Sequence, residues 1–564
     1  MSRVTHVRAS YGLFDTSAAE DSTFSIPAVQ PFSDTAELLD EDRVIEKWLT
    51  LENNACPLDG SYQILPNQIA SAFTGVWSDT LSGADGAFAV PPVLTVTFSK
   101  PHTSGGLTLI FSEATGDWCS DLHIQWLNQS GAQMAAAGFQ PNAGKYFCAK
   151  QVEDFYQLVI TFRKTNKPYH FLKLTGIRYG ISMELQGDSL ISCTVLEEVD
   201  PISSEISVNT LNLKFRTDKG TFDLLDLTGA YVLFQQRQKV DVTGEIDGVK
   251  MNMGSFYLDK PTTSDNIVTL DCIDLLGTMD DTDYLGGYWS NGIAAKALIA
   301  DIMTSAGIDA ELYVLDSSLE NVTVKGYLEI QSHRSALQQV AFAIGAVVDC
   351  SRSEQIRIIP PVTNNPKAVP VSRKVVGHEQ TQDALVTGVE VYTHNYALSD
   401  TAGELFKESR QPGEYLIQFS SPASGLSASG ATITKSGVNY ARIKVTSAGT
   451  VTISGKTYED TQSLSGSVYM KNLPANAKPN IVSVTDCTLT ADAQALAQRV
   501  YDYYQRRISD NGQIILEDEK AGDWLRVQNA DGKSLVGTAE QISIDLTGGF
   551  IAKVVTHGTG QITV

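Results

Sequence analysis

Basic residues are scarce in this chain: 42 lysines and arginines stand against 65 aspartates and glutamates, a formal charge of −23. Gripping nucleic-acid phosphates or docking on an anionic membrane needs a basic footprint, so the balance argues against both. Cysteine is sparse too. The seven (Cys56, Cys119, Cys148, Cys193, Cys272, Cys350 and Cys487) are scattered, odd in number and form no CxxC pair. That is the pattern of reduced, structural thiols in a protein assembled inside a cell. The opening MSRVTHVRASYGLFDTS lacks the apolar core of a signal peptide, and no apolar run is long enough to span a bilayer. Folding in the cytoplasm is the expectation. Catalytic signatures are missing as well. None of the eight histidines sits in an HExxH, HxH or Cys/His metal spacing, and no G-x-S-x-G elbow, P-loop or G-x-G-x-x-G occurs in a strand-turn-helix context. The expectation is no catalytic residue, no metal and no cofactor, although glycosidase carboxylates would leave no short motif.

What is present is length and β-forming residues. At 564 residues the chain is too long for one core, and roughly 150 residues per domain gives about four domains. Its 42% hydrophobic and 19% charged content is that of a globular protein, and abundant Thr, Val, Ser and Gly favour strands. Residues 1–66 read as an N-terminal segment with a short strand at 3–8. A helix is expected over 37–51, where Leu38, Ile45, Trp48 and Leu49 share a face.

Residues 67–185 read as a β-sandwich, with alternating strands at 93–98, 107–111, 122–127, 157–162 and 172–179. Turns are expected at Gly83-Ala84-Asp85-Gly86 and Thr103-Ser104-Gly105-Gly106. The phrases GVWSDTLSGADGAF, LTVTFSKP and ITFRKTNKPYHFLKLTGIRYG resemble a discoidin-type, galactose-binding-like domain, which implies glycan contact through loops at one end. Trp126 shares a strand face with Leu122 and Ile124 and is read as core. Trp118, in the loop-like TGDWCSD, is the candidate stacking residue for carbohydrate, with Asp117 and Asp121 beside it. Two carboxylates do not make a calcium site.

A second β unit is expected over 186–288, where AYVLFQQRQ precedes GSFYLDKP and TLDCIDLLGTMD. Its Asp271, Asp274, Asp280, Asp281 and Asp283 lack the spacing of a calcium loop and read as a solvated turn. Residues 289–365 read as a small α/β domain. One helix, at about 293–306, stops at Gly307. The second carries Leu337, Val340, Ala341 and Ile344 on one face, with Ser332 or Ser335 as cap, Gln338 completing a capping box and Gly345 as the stop. A two-strand ribbon at 346–348 and 355–359 follows. His333 reads as a surface residue. The last unit, 366–564, holds an inserted Ser/Gly-rich but strand-forming passage and a helix over 491–507 capped by Thr490.

The spelling S-x-x-x-AL-x-x-VA-x-x-x-G-A from Ser332, with a ribbon ending I-R-I at Ile358, resembles the hub proteins of phage tails. These are the baseplate hub of contractile tails, its late-control relatives and the tail-tip hub of long non-contractile tails. GSFYLDKP at 254–261, TLDCIDLLGTMD at 269–280 and KAGDWLRVQNADGKSLVGTAEQISIDLTGGFIAKVVTHG at 520–558 continue the match in order. The sandwich looks inserted near the start of the first barrel. The resemblance implies a mainly β fold with an α+β insert: two tail-tube-like β-barrel domains (186–288 and 366–564), the β-sandwich and the small α/β domain. It also implies a structural, non-enzymatic virion protein, assembled in the host cytoplasm and placed at the distal end of the tail as a homotrimeric hub. That hub joins the tail tube to the baseplate or tail tip and lines the DNA channel. Implied partners are its own copies, a tail tube or distal tail protein, the tape-measure protein and a spike or fibre protein, with a host cell-surface glycan as a further candidate. The acidic charge serves solubility, or lines a channel through which DNA passes without binding. Two other classes fit parts of the chain: a carbohydrate-binding adhesin, on the strength of the sandwich, and a tail-associated cell-wall hydrolase.

Overall fold

The computed structural model describes residues 4–14, 16–39, 48–50, 52, 62, 73–112, 114–217, 237–375 and 377–561. Strand outweighs helix, 54% against 11%, so the fold is mainly β with a small α content. Of the expected helix over 37–51, the described part is a short 3-10 turn, Ala36–Leu39, and 48–50, which are not helical; 40–47, 51 and most of AYVLFQQRQ lie outside the described residues.

A 13-stranded sheet dominates. From one edge it runs Glu379–Gln382, Ile508–Ile515, Ile551–Gln561, Ser534–Asp545 and Leu190–Glu198. It continues through Thr210–Arg216, Ile267–Ile273, Val249–Ser264, Lys239–Ile246 and Thr5–Phe14 to Gly180–Gln186 at the other edge. Trp524–Gln528 and Lys367–Val369 branch from Ser534–Asp545. Strands from 186–288 and from 366–564 therefore meet in one sheet, at the antiparallel pair Leu190–Glu198 and Ser534–Asp545, in register Thr194↔Asp545 and Leu196↔Ser543. Period-two alternation explains the shared interior. Cys193, Val195, Leu211, Leu213, Phe215, Leu270, Ile542, Ile544 and Phe550 lie on one face and form one core.

Two findings revise the reading of the N-terminal half. The start of the chain is a ten-residue strand, Thr5–Phe14, placed between Lys239–Ile246 and Gly180–Gln186. Phe14 faces Gly180 in register, so the chain leaves the large sheet and returns to it at one point, with the whole intervening unit emitted there. In that unit the stretches 93–98 and 107–111 are two ends of one 19-residue strand, Val93–Phe111. Thr103-Ser104-Gly105-Gly106 is no turn but a run of register irregularities against Lys145–Thr165. Bulges of this kind bend a strand without ending it. Seven strands make up the unit's sheet, and Trp126, Leu122, Ile124 and Phe162 are buried in its core.

The α/β region holds helices Ala295–Ser305 and His333–Ile344. Ser332 caps the second, accepting from the Ser335 N–H, and Gly345 ends it at φ +78°, a left-handed conformation that costs glycine little. Gln338 does not close a capping box; its amide donates to the Ser203 and Ser204 carbonyls. The ribbon pairs Val347–Asp349 with Ile356–Ile359. The last helix is Ala493–Tyr504, capped by Asp492, which accepts from Gln494 and Ala495; Thr490 belongs instead to the two-residue strand Leu489–Thr490. Asp492 wins because a carboxylate near the positive helix N-terminus is favoured. The Ser/Gly-rich passage is ordered strand, with a small core of Ile417, Ile443, Val451 and Ile453.

Charged pairs tie these parts together. Glu197, buried between strands of the large sheet, pairs with Arg352 of the α/β region at 2.8 Å and accepts from the Ala521 N–H. Asp349 holds Arg357 and, at 2.7 Å, Lys520.

Candidate functional site

Asp117 follows the turn at Thr115-Gly116, and that turn aims its carboxylate into the domain. The residue is 2% exposed. It accepts hydrogen bonds from Thr115 Oγ1 at 2.8 Å, Lys167 Nζ at 2.9 Å and Lys173 Nζ at 2.6 Å, and His170 Nδ1 lies 3.0 Å away. Glu52 completes the cluster. It is 2.7 Å from Lys173 Nζ and accepts from Thr50 Oγ1 at 2.6 Å and the Phe171 N–H at 2.7 Å. Burial pushes the Asp117 carboxyl up, but the Lys173 charge and the donors around it win and hold it below the usual carboxylate range.

Glu52, Asp117 and His170 present ligand atoms within 4.8 Å of one another, which is a donor set of the kind that holds a metal. Lys173 already stands between the two carboxylates, with its ammonium 4.7 Å above the Trp77 ring. Two carboxylates and two lysines balance in charge, so the cluster reads as an internal clamp fastening Glu52 to strand Lys173–Arg178.

Trp118 and Asp121 are placed differently. Trp118 is half-buried against the domain core, and Asn166 grips its backbone on both sides, at 3.0 and 2.9 Å. Asp121 is half-buried on strand Cys119–Leu127, where its carbonyl accepts from Cys119 Sγ. The structure thus turns Asp117 inward and leaves the other two partly exposed. Glu52, His170 and Lys173, which complete the cluster, were not singled out from the sequence. They span more than a hundred positions and share no motif.

Two more residues sit where the sequence did not put them. His333 is buried, not superficial; its ring bonds the Thr282 carbonyl at 2.7 Å and Ser305 Oγ at 2.9 Å. Asp274 is no solvated turn residue. It is 1% exposed, caps the helical turn Leu275–Thr278 and accepts from the Asn209 N–H at 3.0 Å. Burial pushes its pKa up to about 7. The phrase TLDCIDLLGTMD is thereby a strand and its capped turn, a piece of architecture. Asp280 and Asp281 do lie at the surface, paired with Arg334 and Arg237.

The large sheet offers the other candidate surface. At one edge all four residues of Glu379–Gln382 are exposed, and the strand is pinned by His378 to Asp510 at 2.7 Å and Gln380 to Asp510 at 2.9 Å. Its face away from the core carries a polar row across five strands, Asp545, Thr194, Asn212, Asp271 and Lys260 in register. Lys214 and Lys553 lie beside that row, so both signs of charge are represented.

The chain matches no family model and no curated protein. Solved structures do align with it, tail proteins among them. The tail protein from Neisseria meningitidis MC58 is 9% identical, with a TM-score of 0.39 over 66% of this chain and 93% of that one. The prophage tail protein gp18 from Listeria monocytogenes EGD-e is 9% identical, with a TM-score of 0.38 over 66% and 91%. The 43 kDa tail protein of prophage MuSo2 from Shewanella oneidensis is 8% identical, with a TM-score of 0.36 over 66% and 95%.

Proposed function

We propose that the chain is a structural component of a phage or phage-like tail: the distal hub, a ring of three copies joining the tail tube to the baseplate or tail tip. The observation that carries this reading is the continuous sheet. Two β units of one chain share a core and a sheet, and among the described residues the main path of that sheet ends in the edge strands Glu379–Gln382 and Gly180–Gln186. Unpaired strand edges are templates for another strand, and a closed cyclic ring satisfies every edge. Two of the phrases that resemble tail hubs fall on this sheet and the turn it feeds: GSFYLDKP lies within Val249–Ser264, and TLDCIDLLGTMD starts in Ile267–Ile273 and runs through Leu275–Thr278.

In this reading the partners are the chain's own copies and neighbouring tail proteins, DNA passes without specific binding, and the protein performs no catalysis. The polar face suits such passage, because hydroxyls, amides and both signs of charge give phosphates no continuous basic track. The unit emitted between Phe14 and Gly180, with its resemblance to discoidin-type domains, projects from the ring towards a tail protein or a host glycan. Hydrogen exchange tests the edges. Amides in 379–382 should gain protection when purified chain is assembled with its neighbouring tail proteins. If they exchange as fast in the assembly as in the free chain, edge pairing is wrong. Purified bacterial cell walls incubated with the protein should stay turbid, whereas clearing would favour a hydrolase.

A further inference from the structure

A cleft of about 380 Å³ lies where the α/β region meets the inserted ribbon Gly388–Leu398 and Gly449–Tyr469. That volume falls within the ~300–1,000 Å³ range of small-ligand sites. Tyr288, His394 and Tyr396 supply its aromatic wall, and Ser290, Lys325 and Asn395 are among its polar lining. The wall is fixed before any ligand arrives. His394 is held by Asp460 and the Thr485 carbonyl, both at 2.7 Å, and stacks on Tyr396 with 15° between the rings. Tyr396 packs edge-on against Tyr288, with centroids 5.6 Å apart. Tyr327 packs against it at a tilt, with centroids 5.1 Å apart, and its hydroxyl donates to Asn439 Oδ1 at 2.7 Å.

We propose that this cleft binds a neutral saccharide. A sugar offers apolar C–H faces and a rim of hydroxyls. Rigid tyrosine and histidine rings suit the first, and amide, hydroxyl and ammonium groups on short or exposed side chains suit the second. An anionic ligand is disfavoured. Among the described residues Lys325 is the one lysine or arginine lining the cleft, while Asp460 sits behind His394. The site is separate from the Trp118 region, and it stands whether or not the chain is a tail hub.

Saturation-transfer NMR on the purified full chain tests this. The probes are cellobiose, lactose, maltose and chitobiose, with glucuronate and inorganic phosphate as acidic controls. At least one disaccharide should show transfer, and Tyr396→Ala and Asn395→Ala should each weaken its binding by about tenfold. Trp118→Ala should leave it unchanged. Asn395 is exposed, so its variant decides the matter if loss of Tyr396 disturbs the fold. The inference fails if no disaccharide shows transfer, if transfer survives Asn395→Ala, or if only glucuronate or phosphate binds.

Discussion

Lys173 governs the interior of the unit emitted from the large sheet. Its side chain is 1% exposed and its ammonium touches both Glu52 and Asp117. Lys173→Met keeps the side chain's length but leaves two buried carboxylates without their central cation. The expected cost is about 3–5 kcal/mol, read as a lower urea midpoint. Asp117, with its folded pKa held down, adds stability that is present above its unfolded value of 3.8 and is lost as pH falls through the lower folded value. Asp274 has the opposite sign. With its folded pKa raised from 3.8 to about 7, its contribution is greatest below 3.8 and disappears as pH rises towards 7. The size follows from about three pKa steps, roughly 4 kcal/mol. Asp274→Asn cannot titrate, so the stability of the native chain relative to this variant should fall by that order between pH 4 and 7. A pH-independent difference would mean that Asp274 stays ionised in the fold.

At the scale of elements, caps explain both what the sequence revealed and what it hid. Gly345 and Ser332 act through neighbours a few residues away, so the helix His333–Ile344 was legible almost to the residue. The strand alternation at 157–162 was legible for the same reason, whereas Lys173–Arg178 is buried at every position and shows none. Thr103–Gly106 was not, because whether four small residues turn or bulge depends on the partner strand Lys145–Thr165, far along the chain. Asp117 was hidden likewise: an aspartate in a loop reads as exposed, and its burial is set by Glu52 and Lys173 on either side in sequence. Gly345→Ala tests the cap. Its added Cβ would stand 2.5 Å from a guanidinium nitrogen of Arg499, which is anchored to the Phe342 carbonyl, and φ would remain +78°. A loss of about 1–2 kcal/mol is expected in thermal or urea unfolding; no loss would mean the helix end relaxes freely.

At the scale of the molecule, the mainly β fold class could be read from the chain, but the merging of two β units into one sheet could not. It rests on the pairing of residues near 195 with residues near 543, a contact between distant parts of the chain that no local pattern announces. The central claim is that copies join through the edge strands of that sheet. Light scattering measures it most directly, on the purified chain alone and mixed with its neighbouring tail proteins. The account predicts three times the 61.0 kDa chain mass, either alone or once those neighbours are present. A chain that remains at its monomer mass in both conditions would contradict it.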